Sequence, residues 1–183
     1  MLTHAKVCSR ILHTAGNGLP LGAESNEKFF KALMLDIGLT AAQLGLSSVR
    51  RPEIKKIIFP NKGGLAEQFV GQQLRFGQSP LKDPQLYYWQ RTGGRQGEID
   101  YIIQHAHRVV PIEVKSGSAG SMKSLHQFMA EKNLNLAVRF NSNMAIVEEI
   151  RVKTTLGQPV GYQLLSLPVY LAENLEQLIN QVV

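Results

Sequence analysis

The segment GEIDYIIQHAHRVVPIEVKSG, residues 97–117, limits the fold more than any other part of the chain. YIIQ and RVVPIEVK are rich in β-branched and aromatic residues, which predicts two strands. With a turn at Ala106-His107 the two would form an antiparallel hairpin. Residues opposed across a hairpin closed by a two-residue turn have position numbers with a constant sum. On that rule Asp100 faces Glu113, with Cβ atoms ~4.5–5.5 Å apart. Glu113 and Lys115 are two apart and share a face, while Ile112 and Val114 point the other way. Asp, Glu and Lys are poor strand formers and costly to bury. Three of them in register within apolar strands point to a site as well as a fold.

Two facing carboxylates repel unless a cation lies between them. Lys115 offsets part of that charge, and a divalent ion offsets more. Mg²⁺ takes one or two carboxylates, keeps several waters and completes its shell with substrate phosphate. A lysine beside it can orient a metal-bound water and stabilise charge at phosphorus. This is the residue chemistry of a Mg²⁺- or Mn²⁺-dependent phosphodiesterase, with Asp100 and Glu113 as metal ligands. A third carboxylate is available in GGLAEQFVGQQL, where Glu67, Val70 and Leu74 fall at i, i+3, i+7 on an inward stripe. Two plainer accounts stand beside this one. The charges can form a solvated cluster on the sheet, and Glu67 can complement a helix dipole.

Around the hairpin the chain reads as alternating elements. Residues 1–22 suggest a strand and a loop; 26–46 pair an apolar run, strand or helix, with a helical tail. Residues 47–62 turn basic, and PNKGG at 60–64 precedes the helix GLAEQFVGQQLRF. LYYWQR, 86–91, reads as a strand, and SAGSMKSLHQFMAEKN, 118–133, as a helix capped by Ser121. LNLAVRF, 134–140, is another strand, and LPVYLAENLEQLINQV reads as a closing helix with Pro168 near its first turn. The order predicts an α/β domain, a mixed central sheet flanked by helices, over residues 63–183. Residues 1–62 are then an N-terminal extension of strand and helix, compatible with the tail of an upstream module.

Composition narrows the class. Of 183 residues, 44% are hydrophobic and 19% charged, which fits a globular domain and excludes a disordered one. The net charge of +6 permits contact with nucleic acid without establishing it. Cys8 is the single cysteine, so an internal disulfide and a Cys-based zinc site are both excluded. No apolar run reaches the ~18 residues of a membrane helix, and no signal-peptide core opens the chain. A cytoplasmic protein without membrane contact is expected.

Asp100, then Glu113-Val114-Lys115 on the next strand, with Glu67 on a preceding helix, resembles the PD-(D/E)xK nuclease-like superfamily. The resemblance implies a restriction-endonuclease-like fold and a Mg²⁺ site for hydrolysis of nucleic acid in active members. A closer likeness covers most of the chain. LPLGAESNEKFF, MLDIGLTAAQLG, GGLAEQFVGQQL, YYWQRTGGRQGEIDYII, RVVPIEVKSG and SMKSLHQF together are similar to an uncharacterised domain found C-terminal to a bacterial and archaeal AAA-type ATPase module. This implies an ATPase module or a partner protein as an associate, and it carries over Glu67, Asp100, Glu113 and Lys115 as the nuclease-type constellation. The chain has no G-x-x-x-x-G-K-[ST], so it resembles the C-terminal part of such a protein or a truncated relative.

Other residues complete the expectations. Arg91 and Arg95 bracket the glycine loop before Asp100, where a backbone phosphate, DNA in the first instance, can be held. Lys123 and Gln127, one turn apart, can reach a phosphate or form a solvated helix face. Arg50, Arg51, Lys55 and Lys56 are either a solvated face or an extended nucleic-acid track. His105 and His107 read as an exposed turn rather than a metal pair, and Trp89 as core. Two functions from different classes remain open: a metal-dependent nuclease, or a non-catalytic module that binds nucleic acid or docks onto an ATPase or partner protein.

Overall fold

Strands β4 (Glu98–His105) and β5 (Arg108–Val114) form the expected hairpin, turning at Ala106-His107. The ladder runs from Tyr101↔Ile112 to His105↔Arg108, the register anticipated from the turn. Ala106 takes a left-handed conformation, φ 51°, which this type of turn demands and which Asn or Gly adopts at less cost. The computed structural model describes residues 2–46, 62–79, 81, 85–91, 97–117 and 120–182. The basic residues Arg50, Arg51, Lys55 and Lys56, and Arg95, lie outside them.

The hairpin is the centre of an eight-stranded mixed sheet. Its other strands are β1 (Cys8–Thr14), β2 (Ser25–Met34), β3 (Tyr87–Gln90), β6 (Leu136–Asn141), β7 (Ile146–Lys153) and β8 (Pro159–Pro168). They lie in the order β2-β1-β3-β4-β5-β6-β8-β7, with parallel pairs at β1–β3, β5–β6 and β6–β8. Four α-helices accompany them among the described residues: α1 (Ile37–Gln43), α2 (Lys62–Phe76), α3 (Lys123–Lys132) and α4 (Leu175–Val182). The α/β class with a mixed, helix-flanked sheet is therefore as expected.

Two apolar layers hold the sheet. On one side Val70 and Leu74 of α2 and Leu175 and Ile179 of α4 meet Tyr101, Val110, Ile112 and Val138. On the other, Leu125, Phe128 and Met129 of α3 meet Trp89, Ile99, Ile102 and Ala137. Trp89 is in the core, its ring against Phe128 at 5.0 Å between centroids. No helix among the described residues is long and apolar enough to cross a membrane.

Three local expectations need correction, and one open choice is settled. Residues 8–34 do not form a separate extension, because β1 pairs with β3 and Ile11 and Leu33 belong to the α2-side core. The apolar half of 26–46 is strand β2, and the helical tail is α1, capped by the Asp36 side chain accepting from Gly38 N–H at 2.7 Å. The N-cap of α3 is Met122; Ser121 Oγ only accepts from Lys123 N–H at 3.4 Å. The closing segment is not one helix. Residues up to Pro168 finish β8, a 3₁₀ stretch follows over Val169–Asn174, and α4 begins at Leu175. Leu165 and Leu167 are buried against the sheet, and that burial outweighs the helical pattern of their neighbours.

Helix α2 approaches the sheet closely at Gly71. A Cβ there lies 2.8 Å from Leu33 Cδ1 and collides with the Tyr101 hydroxyl. Gly71→Ala is expected to push α2 off the sheet and destabilise the fold by about 1–3 kcal/mol, read as a lower melting temperature.

Candidate functional site

Helix α2 is pinned where it carries Glu67. Tyr101 Oη donates to the Glu67 carbonyl at 2.9 Å, and Gln68 bonds β2 through Ala32 O at 2.7 Å and Met34 N at 2.9 Å. Glu67 lies beyond the first turn of α2, where the helix dipole has little hold on it. Its carboxylate meets two others from β4. Between Tyr87↔Ile102 and Trp89↔Ile99, β4 spends one more residue than β3, which is a bulge. Ile99 and Ile102 thereby both reach the α3-side core, and Glu98 and Asp100 turn towards α2. Glu67, Glu98 and Asp100 each bring a carboxylate oxygen within 4.8 Å of the others.

Glu113 enters from the opposite side. It alternates with Ile112 and Val114, which belong to the α2-side core, so its side chain leaves β5 towards α3. Its Cα partner on β6, Arg139, reaches Met122 at the start of α3. The expectation that Asp100 shares a face with Glu113 and Lys115 is thus corrected by the bulge, while Glu113 and Lys115 stay together. The groups meet at the end of the ladder. Past Tyr101↔Ile112 the strands are joined instead by Val114 N–H donating to Asp100 Oδ2 at 2.7 Å. A cavity of about 500 Å³ opens there, lined by Glu67, Gln90, Glu98, Asp100, Glu113 and Lys115.

Charge in this cavity is only partly balanced. Lys115 Nζ donates to Glu113 Oε1, while Glu113 Oε2 is buried with no partner among the described residues. Lys31 from β2 pairs with Glu67 at 2.8 Å and with Glu98, and lies 5.1 Å from the Tyr88 ring centroid. Burial disfavours the Lys31 ammonium, but the Glu67 and Glu98 carboxylates outweigh it and raise its pKa. Burial, then the charges of Glu113 and Glu67, push Asp100 up to about 7, against the Val114 N–H and Lys31. Burial also raises Glu113; Lys115 opposes the shift, and Glu98 and Glu67 add to it. Among the described residues, four carboxylates face two ammonium groups. An all-oxygen donor set with that imbalance and an unpartnered buried oxygen fits a hard divalent cation such as Mg²⁺ or Mn²⁺.

The structure assembles Glu67, Asp100, Glu113 and Lys115 around one cavity. It adds Glu98 and Lys31, which sequence reasoning missed. Glu98 had a signal, since it stands two before Asp100 on the same strand. Lys31 had none, because its place depends on a strand pairing far away in sequence. Arg91 is paired with Glu131, and Gln127 is buried, bonded to Glu131 and Gln158. Neither is the free phosphate contact expected, because each already has a partner; Lys123 is exposed. His105 bonds Asn180 at 3.0 Å, and His107 is exposed at the turn.

Two expectations follow from the charge. Asp100 keeps its proton in the fold to about pH 7, while the unfolded chain releases it near 3.8. The unfolded state then binds fewer protons between those values, so stability falls as pH rises from about 4 to 7. Asp100→Asn is expected to flatten that fall in melting temperature against pH. Gly120 is the second case: a Cβ there lies 2.7 Å from Lys115 Cδ. Gly120→Ala is expected to shift Lys115 off Glu113 and raise the Glu113 pKa further, measured by carboxyl titration in NMR spectra.

No curated protein matches the chain. A family model described as "Domain of unknown function (DUF4143)" matches residues 62–169, from α2 through β8. That span covers more than half of the chain and includes Glu67, Glu98, Asp100, Glu113 and Lys115; the chain belongs to the DUF4143 family.

Proposed function

We propose that this domain is a metal-dependent phosphodiesterase acting on nucleic acid, DNA in the first instance, with a PD-(D/E)xK nuclease-like core. The observation that carries the reading is the convergence of Glu67, Glu98 and Asp100 within 4.8 Å, beside the Glu113–Lys115 pair. Glu67, Glu98 and Asp100 would hold Mg²⁺ or Mn²⁺, and Glu113 lines the same cavity. A bound ion supplies Lewis-acid stabilisation of the phosphate and a more acidic water. Glu113 fixes the Lys115 ammonium, which donates hydrogen bonds to an attacking water or to a phosphate oxygen bearing developing charge. Asp100 is half protonated near pH 7, so the site loses a proton when it takes a cation. The net charge of +6 favours a polyanionic substrate.

Lys31 favours a second reading. It already neutralises Glu67 and Glu98 from within the fold, as a purely structural charge cluster would require. In that reading the domain is a non-catalytic module that binds nucleic acid or docks onto an AAA-type ATPase or partner protein. The resemblance to ATPase-linked domains supports such an associate under either reading.

Calorimetric titration with Mn²⁺ separates the two. Under the first, Mn²⁺ binds, and its affinity rises between pH 6 and 8 by up to about tenfold per pH unit as Asp100 deprotonates. Lys115→Met is expected to abolish hydrolysis of single- and double-stranded substrates while Mn²⁺ still binds, whereas Asp100→Asn loses both. Lys31→Met removes a competing cation and is expected to tighten Mn²⁺ binding. Wild-type protein that neither binds Mn²⁺ nor cleaves, with Lys31→Met and Lys115→Met merely less stable, defeats the enzyme reading.

A further inference from the structure

The sheet has two edges, and the fold treats them differently. At β2 the outer backbone is capped from α2: Gln68 accepts from Met34 N–H and donates to Ala32 O, and Gln72 donates to Met34 O. At β7 no described residue bonds the outer backbone. That strand, Ile146–Lys153, contains no proline and pairs with β8 along its whole length without a bulge. Ile146, Val147 and Val152 on it are exposed apolar side chains, drawn from both of its faces. A long, regular and partly apolar edge is a template for another strand.

The turn after β7 fixes which groups face outwards. Thr154 N–H donates to Gln158 O at 2.8 Å, so these two residues form a hydrogen-bonded pair. Such pairs alternate along an antiparallel ladder. The backbone groups of Ile146, Glu148, Ile150 and Val152 are therefore spent on β8, and those of Val147, Glu149, Arg151 and Lys153 point to the open edge. Gln163, opposite Glu149, agrees: its N–H turns away from β7 and donates to Asn135 O at 2.9 Å. Glu149 and Arg151 bond each other at 2.8 Å, but their side chains are 67% and 81% exposed. A pair that open to water holds its partners weakly and exchanges them readily.

Two copies joined edge to edge are related by an axis perpendicular to the sheet. Matching faces then requires the axis to pass through a residue rather than between two. Centred on Glu148, Glu149 or Arg151, the pairing sets like charges against each other at the axis; centred on Val152, it sets Arg151 against Lys153. Centred on Ile150, it sets Glu149 against Arg151 and Val147 against Lys153, each twice, and every outward backbone group finds a partner. Ile150, already packed on the α3-side core, then meets its own mate at the short spacing of a non-hydrogen-bonded pair, with Val152 diagonally beside it. We infer that β7 is a dimerisation edge that joins β7 of a second copy in this one register. The charges that discourage other strands become cross-strand ion pairs with an identical strand. This holds independently of the chemistry at the carboxylates.

Sedimentation velocity between about 1 and 200 μM reads the dimer. Wild type is expected to pass from monomer to dimer with a Kd on the order of 10–100 μM, as suits a small interface. Glu149→Arg and Arg151→Glu each turn both cross-strand ion pairs into like-charge pairs, and each is expected to weaken the dimer at least about tenfold. Their equimolar mixture is expected to form a heterodimer, because every charge pair across the edge is again of opposite sign. Misfolding of either variant gives no such rescue. Ile150→Cys is expected to cross-link to itself under mild oxidation, since a Cα spacing of about 4.5 Å at the axis suits a disulfide; Cys8 is buried. Val147→Cys is expected not to, its mate being about 20 Å away. Wild type that stays monomeric throughout overturns the inference and leaves the edge to a strand of another protein or to none. Charge reversals that leave the dimer intact, a mixture that forms no heterodimer, or cross-linking at Val147 and not at Ile150 overturn it as well.

Discussion

The hydrogen bond from Val114 N–H to the Asp100 carboxylate is the joint on which the site turns. A backbone N–H in the middle of a sheet must be satisfied, and a ladder normally does it with a carbonyl. Here the ladder stops at Tyr101↔Ile112 and a side chain takes over. One interaction therefore ends the hairpin, opens a cavity between its strands and commits a carboxylate to a place with little water. The bulge on β4 is its geometric partner, because without the extra residue Glu98 and Asp100 would not both turn towards α2. Tyr101 ties the same spot to α2 by donating to the Glu67 carbonyl.

Charge then becomes the organising problem. Burial pushes Asp100 and Glu113 towards their neutral forms, and each carboxylate raises the cost of ionising the next. Two lysines relieve this from opposite sides of the sheet, Lys115 at Glu113 and Lys31 at Glu67 and Glu98. A buried, hydrogen-bonded ion pair is weak evidence for stability, since desolvation consumes much of the attraction. The unpartnered Oε2 of Glu113 is harder still to account for on stability alone. Four carboxylates and an unpartnered oxygen gathered at one cavity are costs that packing alone does not offset.

The N-terminal strands contribute to that cluster. The family match begins at residue 62, yet Lys31 reaches the carboxylates from β2, outside that span. β2 reaches the site through β1, which pairs with it along its length and lies parallel to β3. The sheet order thus carries a cation from the edge of the molecule to its centre.

The hairpin, its turn and its register were legible in the sequence, because side-chain period and turn length are local properties of a strand pair. So were the helix bearing Glu67, the meeting of Glu67, Asp100, Glu113 and Lys115 near one place, and the burial of Trp89. What local rules miss is anything that depends on a second partner. The bulge arises between β3 and β4, and it moves Asp100 to a different face from the one strict alternation assigns. The segment from Leu167 onward looks like one helix until Leu167 and Pro168 are seen to pair with β6 and a 3₁₀ stretch to precede α4. Lys31 and the partners of Arg91 and Gln127 were invisible for the same reason. The sequence by itself determined which residues carry charge into the sheet and where the chain turns back. Only the tertiary structure decided which of those charges meet, because desolvation and ion pairing act through space between segments that the chain keeps far apart.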